Sequence, residues 1–175
     1  MRKLLLKSLV QGPLTEPAPR ADEAALAELA ALVNRAARRR LGRTLAIREV
    51  DAGSCNGCEL EIHALNNVLY DLERFGLRFV ASPRHADVLL VTGPVTANMR
   101  EALERTYRAV PDPKWVVAVG DCARDAGVFG GSTTCVGGVS AVLPVDLHVP
   151  GCPPSPLALL RGLLALLEKV SEAGP

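Results

Sequence analysis

Two stretches of the sequence, ADVLLVTG (86–93) and KWVVAVG (114–120), are apolar without alternation, and each ends in a glycine. A strand with one face in water alternates apolar and polar residues, so a strand without alternation must be covered on both faces. Runs this short, valine-rich and closed by glycine read as strands rather than buried helices. LAIREV (45–50) and LRFVAS (77–82) come before them, and VDLHVPG (145–151) comes after. Helical spacing fills the intervals at about 59–75, 96–110 and 155–172, and a long glycine-rich loop is expected between 121 and about 144. Strands alternating with helices in this order predict an α/β domain: a flavodoxin-like, doubly wound parallel sheet.

That domain is expected over residues 44–175, with an N-terminal helical arm over 1–43. The arm opens with a basic amphipathic piece, MRKLLLKSLVQG, followed by GPLTEPAPR, whose three prolines cannot continue a helix. From Ala21 to Arg40 the spacing predicts a helix with Asp22 and Glu23 in its first turn and Arg38, Arg39 and Arg40 in its last, which complements the helix dipole. The basic end reads as a solvated helix terminus, the alternative being a contact with a membrane surface or a partner subunit.

Composition removes several functional classes. A net charge of +1 and an aromatic content of 3% supply neither the electrostatics nor the stacking platforms for nucleic acid. Lys7 interrupts the first apolar run, and Arg161 sits at the centre of the densest one, LALLRGLLALL (157–167), so a soluble, cytoplasmic chain is expected. There is no nucleophile–base arrangement, no phosphate loop and no dinucleotide fingerprint. A flavin at the same sheet edge is disfavoured, because cysteines occupy three of the loops it would need and few aromatics are available to sandwich its ring.

The five cysteines carry most of the remaining information. In a reducing compartment they are not a disulfide framework, and an odd number argues the same way. Cys55 and Cys58 follow the first strand in GSCNGCELEI (53–62), Cys122 follows the fourth in VAVGDC, and Cys152 follows the fifth in HVPGCPP. All four therefore sit on loops that leave the C-terminal ends of parallel strands, the edge where such sheets collect ligands. Converging thiolates suit a metal centre, and a thioredoxin-type dithiol leaves Cys122 and Cys152 unexplained. Structural zinc often uses two local pairs, whereas here one pair is joined by two isolated cysteines, so a [4Fe–4S] cluster is favoured and zinc stays open. Gly53, Gly57, Gly120 and Gly151 would let backbone N–H groups approach cluster sulfides, and Pro153 after Cys152 echoes the Cys-Pro that closes ferredoxin ligand runs.

GSCNGCELEI, VAVGDCARDAGVFGGS and VDLHVPGCPPSP together resemble motifs of the small, cluster-bearing subunit of energy-converting, membrane-associated [NiFe] hydrogenases, the formate hydrogenlyase type included. They also resemble the homologous 20 kDa component of respiratory NADH:quinone oxidoreductase, and the likeness runs from about 44 to 169. It implies that Cys55, Cys58, Cys122 and Cys152 ligate one proximal [4Fe–4S] cluster, and that electrons pass between it and a site in a large partner subunit. It further implies additional iron–sulfur and membrane subunits and a peripheral position on the inner face of the cell membrane. GPLTEP near the N-terminus resembles the same family's approach to the complex. The respiratory component carries two adjacent cysteines at the first motif; here Asn56 and Gly57 separate them, which is the hydrogenase-like spacing.

Among the other residues, Cys135 in STTCVGG reads as a packed thiol in the long loop, the alternative being a spare ligand or a thiol beside the ligating ones. Glu59 and Glu61 read as carboxylates favoured at a helix start, or as a proton relay beside a redox centre. His63 reads as a packed or solvent-facing histidine. His148 either faces solvent or tunes the cluster by its charge, and Asp121 and Arg124, which flank Cys122, are expected in an interface or loop salt bridge.

Overall fold

The computed structural model describes residues 23–172; the amphipathic piece and proline-rich linker expected over 1–20 lie outside them. The elements run α1 (Glu23–Leu41), β1 (Ala46–Asp51), α2 (Gly57–Ala64), β2 (Arg78–Phe79), β3 (Val88–Thr92), β4 (Val95–Thr96), α3 (Ala97–Ala109) and β5 (Trp115–Val119). They continue with α4 (Asp121–Asp125), β6 (Cys135–Gly137), β7 (Leu147–Val149) and α5 (Pro156–Glu172). Five strands form one parallel sheet in the order β2-β1-β3-β5-β7. Counting only its own strands, that is 2-1-3-4-5, the flavodoxin-like order, with the switch point between β1 and β3.

The continuous apolar runs behave as their composition requires. Every residue of β3 and β5 is buried, and successive side chains go to opposite cores. Val88, Leu90, Trp115, Val117 and Val119 join one core with Val33 of α1 and Leu160 of α5. Leu89, Val91, Val116 and Ala118 join the other, with Leu103 of α3. The alternation that is silent in the sequence is thus present in space. Helix α1 packs along α5 and buries Val33 and Ala37 completely.

Two aspartates tie strand starts together. Asp87, just before β3, is 2% exposed and accepts hydrogen bonds from Ala46 N (2.9 Å) and from the Arg43 guanidinium. Asp146, just before β7, accepts from Val116 N (2.7 Å), while its own N–H donates to Val116 O (2.9 Å).

Three expectations are corrected. The helix expected to reach residue 75 stops at Ala64, because Asn67 Oδ1 accepts the N–H groups of Leu69 and Tyr70 and turns the chain. The strand expected over 77–82 is reduced to Arg78–Phe79; Val80 still pairs with Ile47 O, and Pro83 then begins a 3₁₀ turn. The glycine-rich stretch after Gly120 holds α4 and the strand β6, which pairs antiparallel with β4.

Replacing Asp87 by alanine would leave the buried Ala46 N–H without its partner and Arg43 without its counter-charge. We expect a loss of about 2–4 kcal/mol in denaturant unfolding, with Asp87→Asn losing less because it keeps an acceptor.

Candidate metal centre

The loop after β1 is shaped by its own side chains. Asp51 Oδ1 accepts Gly53 N and Ser54 N (both 2.7 Å), Ser54 Oγ accepts Asn56 N (3.0 Å), and Asn56 adopts the left-handed conformation just before α2. Cys55 lies in this loop. Cys58 lies in the first turn of α2, where the positive end of the helix dipole faces any thiolate. The neighbouring loop is reached through Ala52 O, which accepts Thr96 N (2.9 Å) and Thr96 Oγ1 (3.1 Å).

Cys122 is placed by α4, which starts where β5 ends, and Cys152 by the loop between β7 and α5, where the Cys152–Pro153 peptide bond is cis. These two segments are clamped together. Asp121 N donates to Gly151 O (2.9 Å), and Gly151 N donates to Asp121 Oδ1 (3.1 Å). Arg124 makes a loop salt bridge, with Asp125 (2.9 Å), while Asp121 is engaged by the backbone of Gly151. Asp125 Oδ1 also accepts Gly127 N, and that bond, then the guanidinium, holds its carboxyl below the usual range.

The outcome is one cavity of about 80 Å3 whose walls include Cys55, Cys58, Cys122 and Cys152, together with Ser54, Gly93, Asp121 and Gly151. It sits at the C-terminal ends of β1, β3, β5 and β7, at the switch point. The four cysteines picked from the sequence are brought together, and all are free thiols. Cys135 is not among the lining residues; half-buried in β6, it pairs across to Thr96.

The donor set and its surroundings fit an iron–sulfur group. Gly120 adopts φ 89°, and a Cβ there would fall 2.7 Å from Cys58 Sγ; a Cβ on Gly127 would fall 3.2 Å from Cys122 Sγ. Glycine at both positions keeps space beside the sulfurs clear. Burial, then the charge of Glu59, then the other three cysteines push the Cys58 thiol up to about 12. Cys122 is also raised, by burial first and then by Cys152 and Cys55. These thiols repel one another's charge, so the fold asks for a cation among them.

His148 Nε2 lies 3.0 Å from Gly120 O, so this histidine is turned toward the backbone that leads to Cys122. A second cavity, of about 380 Å3, adjoins the first and was not foreseen. Its lining includes Arg48, Glu49, Asp51, Asn56, Glu59 and His63. Glu59 is 7% exposed, and among the described residues neither of its carboxyl oxygens has a hydrogen-bond partner; Glu49 Oε1 and Arg48 Nε are buried in the same condition. Burial raises the Glu49 pKa, which the charge of His63 opposes and that of Glu59 reinforces. Its only sequence signal is the charged Arg48-Glu49 pair inside the otherwise apolar LAIREV strand.

Fold and site together define a cysteine-rimmed α/β subunit of a redox complex, and the known proteins that it resembles agree. Residues 55–166 match the family described as NADH ubiquinone oxidoreductase, 20 kDa subunit, and the chain belongs to that family. A probable membrane-bound hydrogenase subunit of Pyrococcus furiosus is 47% identical over 132 residues, which cover 75% of this chain and 79% of that one. Formate hydrogenlyase subunit 7 of Escherichia coli is 45% identical, covering 78% of this chain but 55% of the relative. Among solved structures, a chain of an archaeal respiratory complex, the membrane-bound sulfane sulfur reductase, superposes with a TM-score of 0.67 at 33% identity, covering 82% of this chain and 77% of that one. Among the described residues no helix is long and apolar enough to cross a membrane.

In metal-free protein at pH 8, a thiol with a pKa of about 12 is ionised to roughly one part in ten thousand. We therefore expect Cys58 to alkylate with iodoacetamide far more slowly than the exposed Cys55 and Cys152, read by mass spectrometry of the labelled peptides. Its rate should rise about tenfold per pH unit up to pH 10.

Proposed function

We propose that this chain is the electron-transfer subunit of a membrane-associated oxidoreductase complex of the [NiFe]-hydrogenase type. One [4Fe–4S] cluster would be held by Cys55, Cys58, Cys122 and Cys152, all within the domain over 44–175. The observation that carries this reading is the convergence of these cysteines, from three loops, on one cavity at the switch point. A bound cluster supplies one-electron transfer at a potential set by its surroundings.

The chain's own residues do the rest. Four thiolates would anchor the group, Gly120 and Gly127 leave room beside two of the sulfurs, and the Asp121–Gly151 bonds hold Cys122 and Cys152 in register. Exposed apolar side chains on the ligand-bearing segments, Leu60, Val128 and Phe129, supply a face that a large subunit can cover and keep dry. Further iron–sulfur and membrane subunits would hold the chain peripherally on the inner face of the cell membrane.

Zinc is the competing ligand. Structural zinc often uses two local pairs of donors, whereas here one pair is joined by two isolated cysteines on separate loops, which favours the cluster. The family's name favours a second reading, the 20 kDa component of a quinone-reducing respiratory complex. The Asn56-Gly57 spacer between the first two cysteines favours the hydrogenase side, and nickel in the co-purified large subunit would decide between them.

Anaerobically purified protein should contain about four irons and four sulfides per chain and give an EPR signal after dithionite reduction. Serine at position 55, 58, 122 or 152 should abolish or severely deplete it, while Cys135→Ser should retain it. Stoichiometric zinc without iron, persisting after iron–sulfur reconstitution, overturns the reading.

A further inference from the structure

The cavity beside the cluster site is built for something the described residues do not supply. Burying a carboxylate without a hydrogen bond costs several kcal/mol, and folded proteins rarely tolerate it without a partner. Glu59 is more than nine-tenths buried and lines this cavity with both oxygens unpartnered, and Glu49 Oε1 adds a third orphan acceptor. Three lining carboxylates, Glu49, Asp51 and Glu59, stand against one guanidinium, Arg48, leaving a net charge of −2 with His63 neutral.

We infer that this cavity is a socket for a cationic side chain, a guanidinium, carried by a partner subunit of the complex. The inference rests on the reading of the chain as such a subunit. Two observations select a side chain over a metal ion. A space of about 380 Å3 is far larger than an ion needs, and it takes a planar group with its stem. A guanidinium also presents several donors in a fork, which matches the two oxygens of Glu59 and the one of Glu49. The orphan donor, Arg48 Nε, asks for an acceptor at the same place, and a peptide-borne cation brings backbone carbonyls with it. Asn56, between the first two cysteines, lines the cavity too, so the socket opens beside the rim that a large subunit would cover.

The test uses the assembled complex, captured through a tag on this chain, as wild type, Glu59→Gln and Glu49→Gln/Glu59→Gln. The salt concentration that releases the large subunit and its dissociation constant are measured with iron per chain in the same samples. The socket predicts that Glu59→Gln weakens the large subunit's hold by at least about 30-fold with iron per chain unchanged, because the partner's cation is then buried unpaired. Glu59→Asp, which keeps the charge but retracts it, should fall between. Wild-type affinity and salt profile in the double variant overturn the socket while leaving the functional reading intact. So does stoichiometric magnesium, calcium or manganese in wild type that Glu59→Gln removes. If Glu59→Gln also loses iron, the Glu59→Asp complex decides: iron retained with weakened docking supports the socket, and iron lost in step with docking overturns it. Wild-type chain that carries iron yet recovers no large subunit overturns both readings.

Discussion

The arrangement depends on burying both faces of β3 and β5. Two apolar surfaces on one strand require two covering layers, and a parallel sheet supplies them only by sending each connection over a face. Every connection therefore leaves from the same end of the strands. Cys55, Cys58, Cys122 and Cys152 inherit their proximity from that requirement, as do Gly93 and Gly151. The same two-layer core explains why α1, read as part of an arm, contributes Val33 and Ala37 to the buried side next to α5.

The electrostatics of the rim follow from placing acids and thiols where water is scarce. Burial first, then neighbouring charged groups, raise the pKa of both Cys58 and Cys122, and Glu59 adds to that pressure on Cys58. The positive end of α2 works in the opposite direction but is short. The balance leaves a site that favours cationic content in two adjoining places, one lined by sulfur and one by oxygen. The donors separate the chemistry: soft thiolates select iron, zinc or copper, whereas carboxylates with room around them select hydrogen-bonding cations.

Much of this was legible in the sequence because the signals were redundant. Valine-rich runs ending in glycine fixed β3 and β5, and the sheet order followed from their neighbours. The four cysteines could be assigned to one edge without knowing a single distance. Where several weak forces compete, the reading failed. Whether α2 continued past Ala64 was decided by one Asn67 side chain competing for backbone N–H groups, and helical spacing alone gives no weight to that. Asp121 was expected in an interface or loop salt bridge, yet its carboxylate is engaged by a backbone N–H across the loop, while Arg124 has Asp125 beside it. The Arg48-Glu49 cavity escaped notice because its members come from β1, α2 and the end of β2, and no local pattern joins them.

The paired bonds between Asp121 and Gly151 carry one more implication. Cys122 and Cys152 are thirty positions apart, and bringing such distant points together costs an unconstrained chain several kcal/mol of loop entropy. Here the fold meets that cost through two peptide-scale contacts, before any metal is considered. A group held by Cys122 and Cys152 would meet two donors whose loops the chain has already tied together. That differs from small zinc modules, whose chain is gathered by the ion itself.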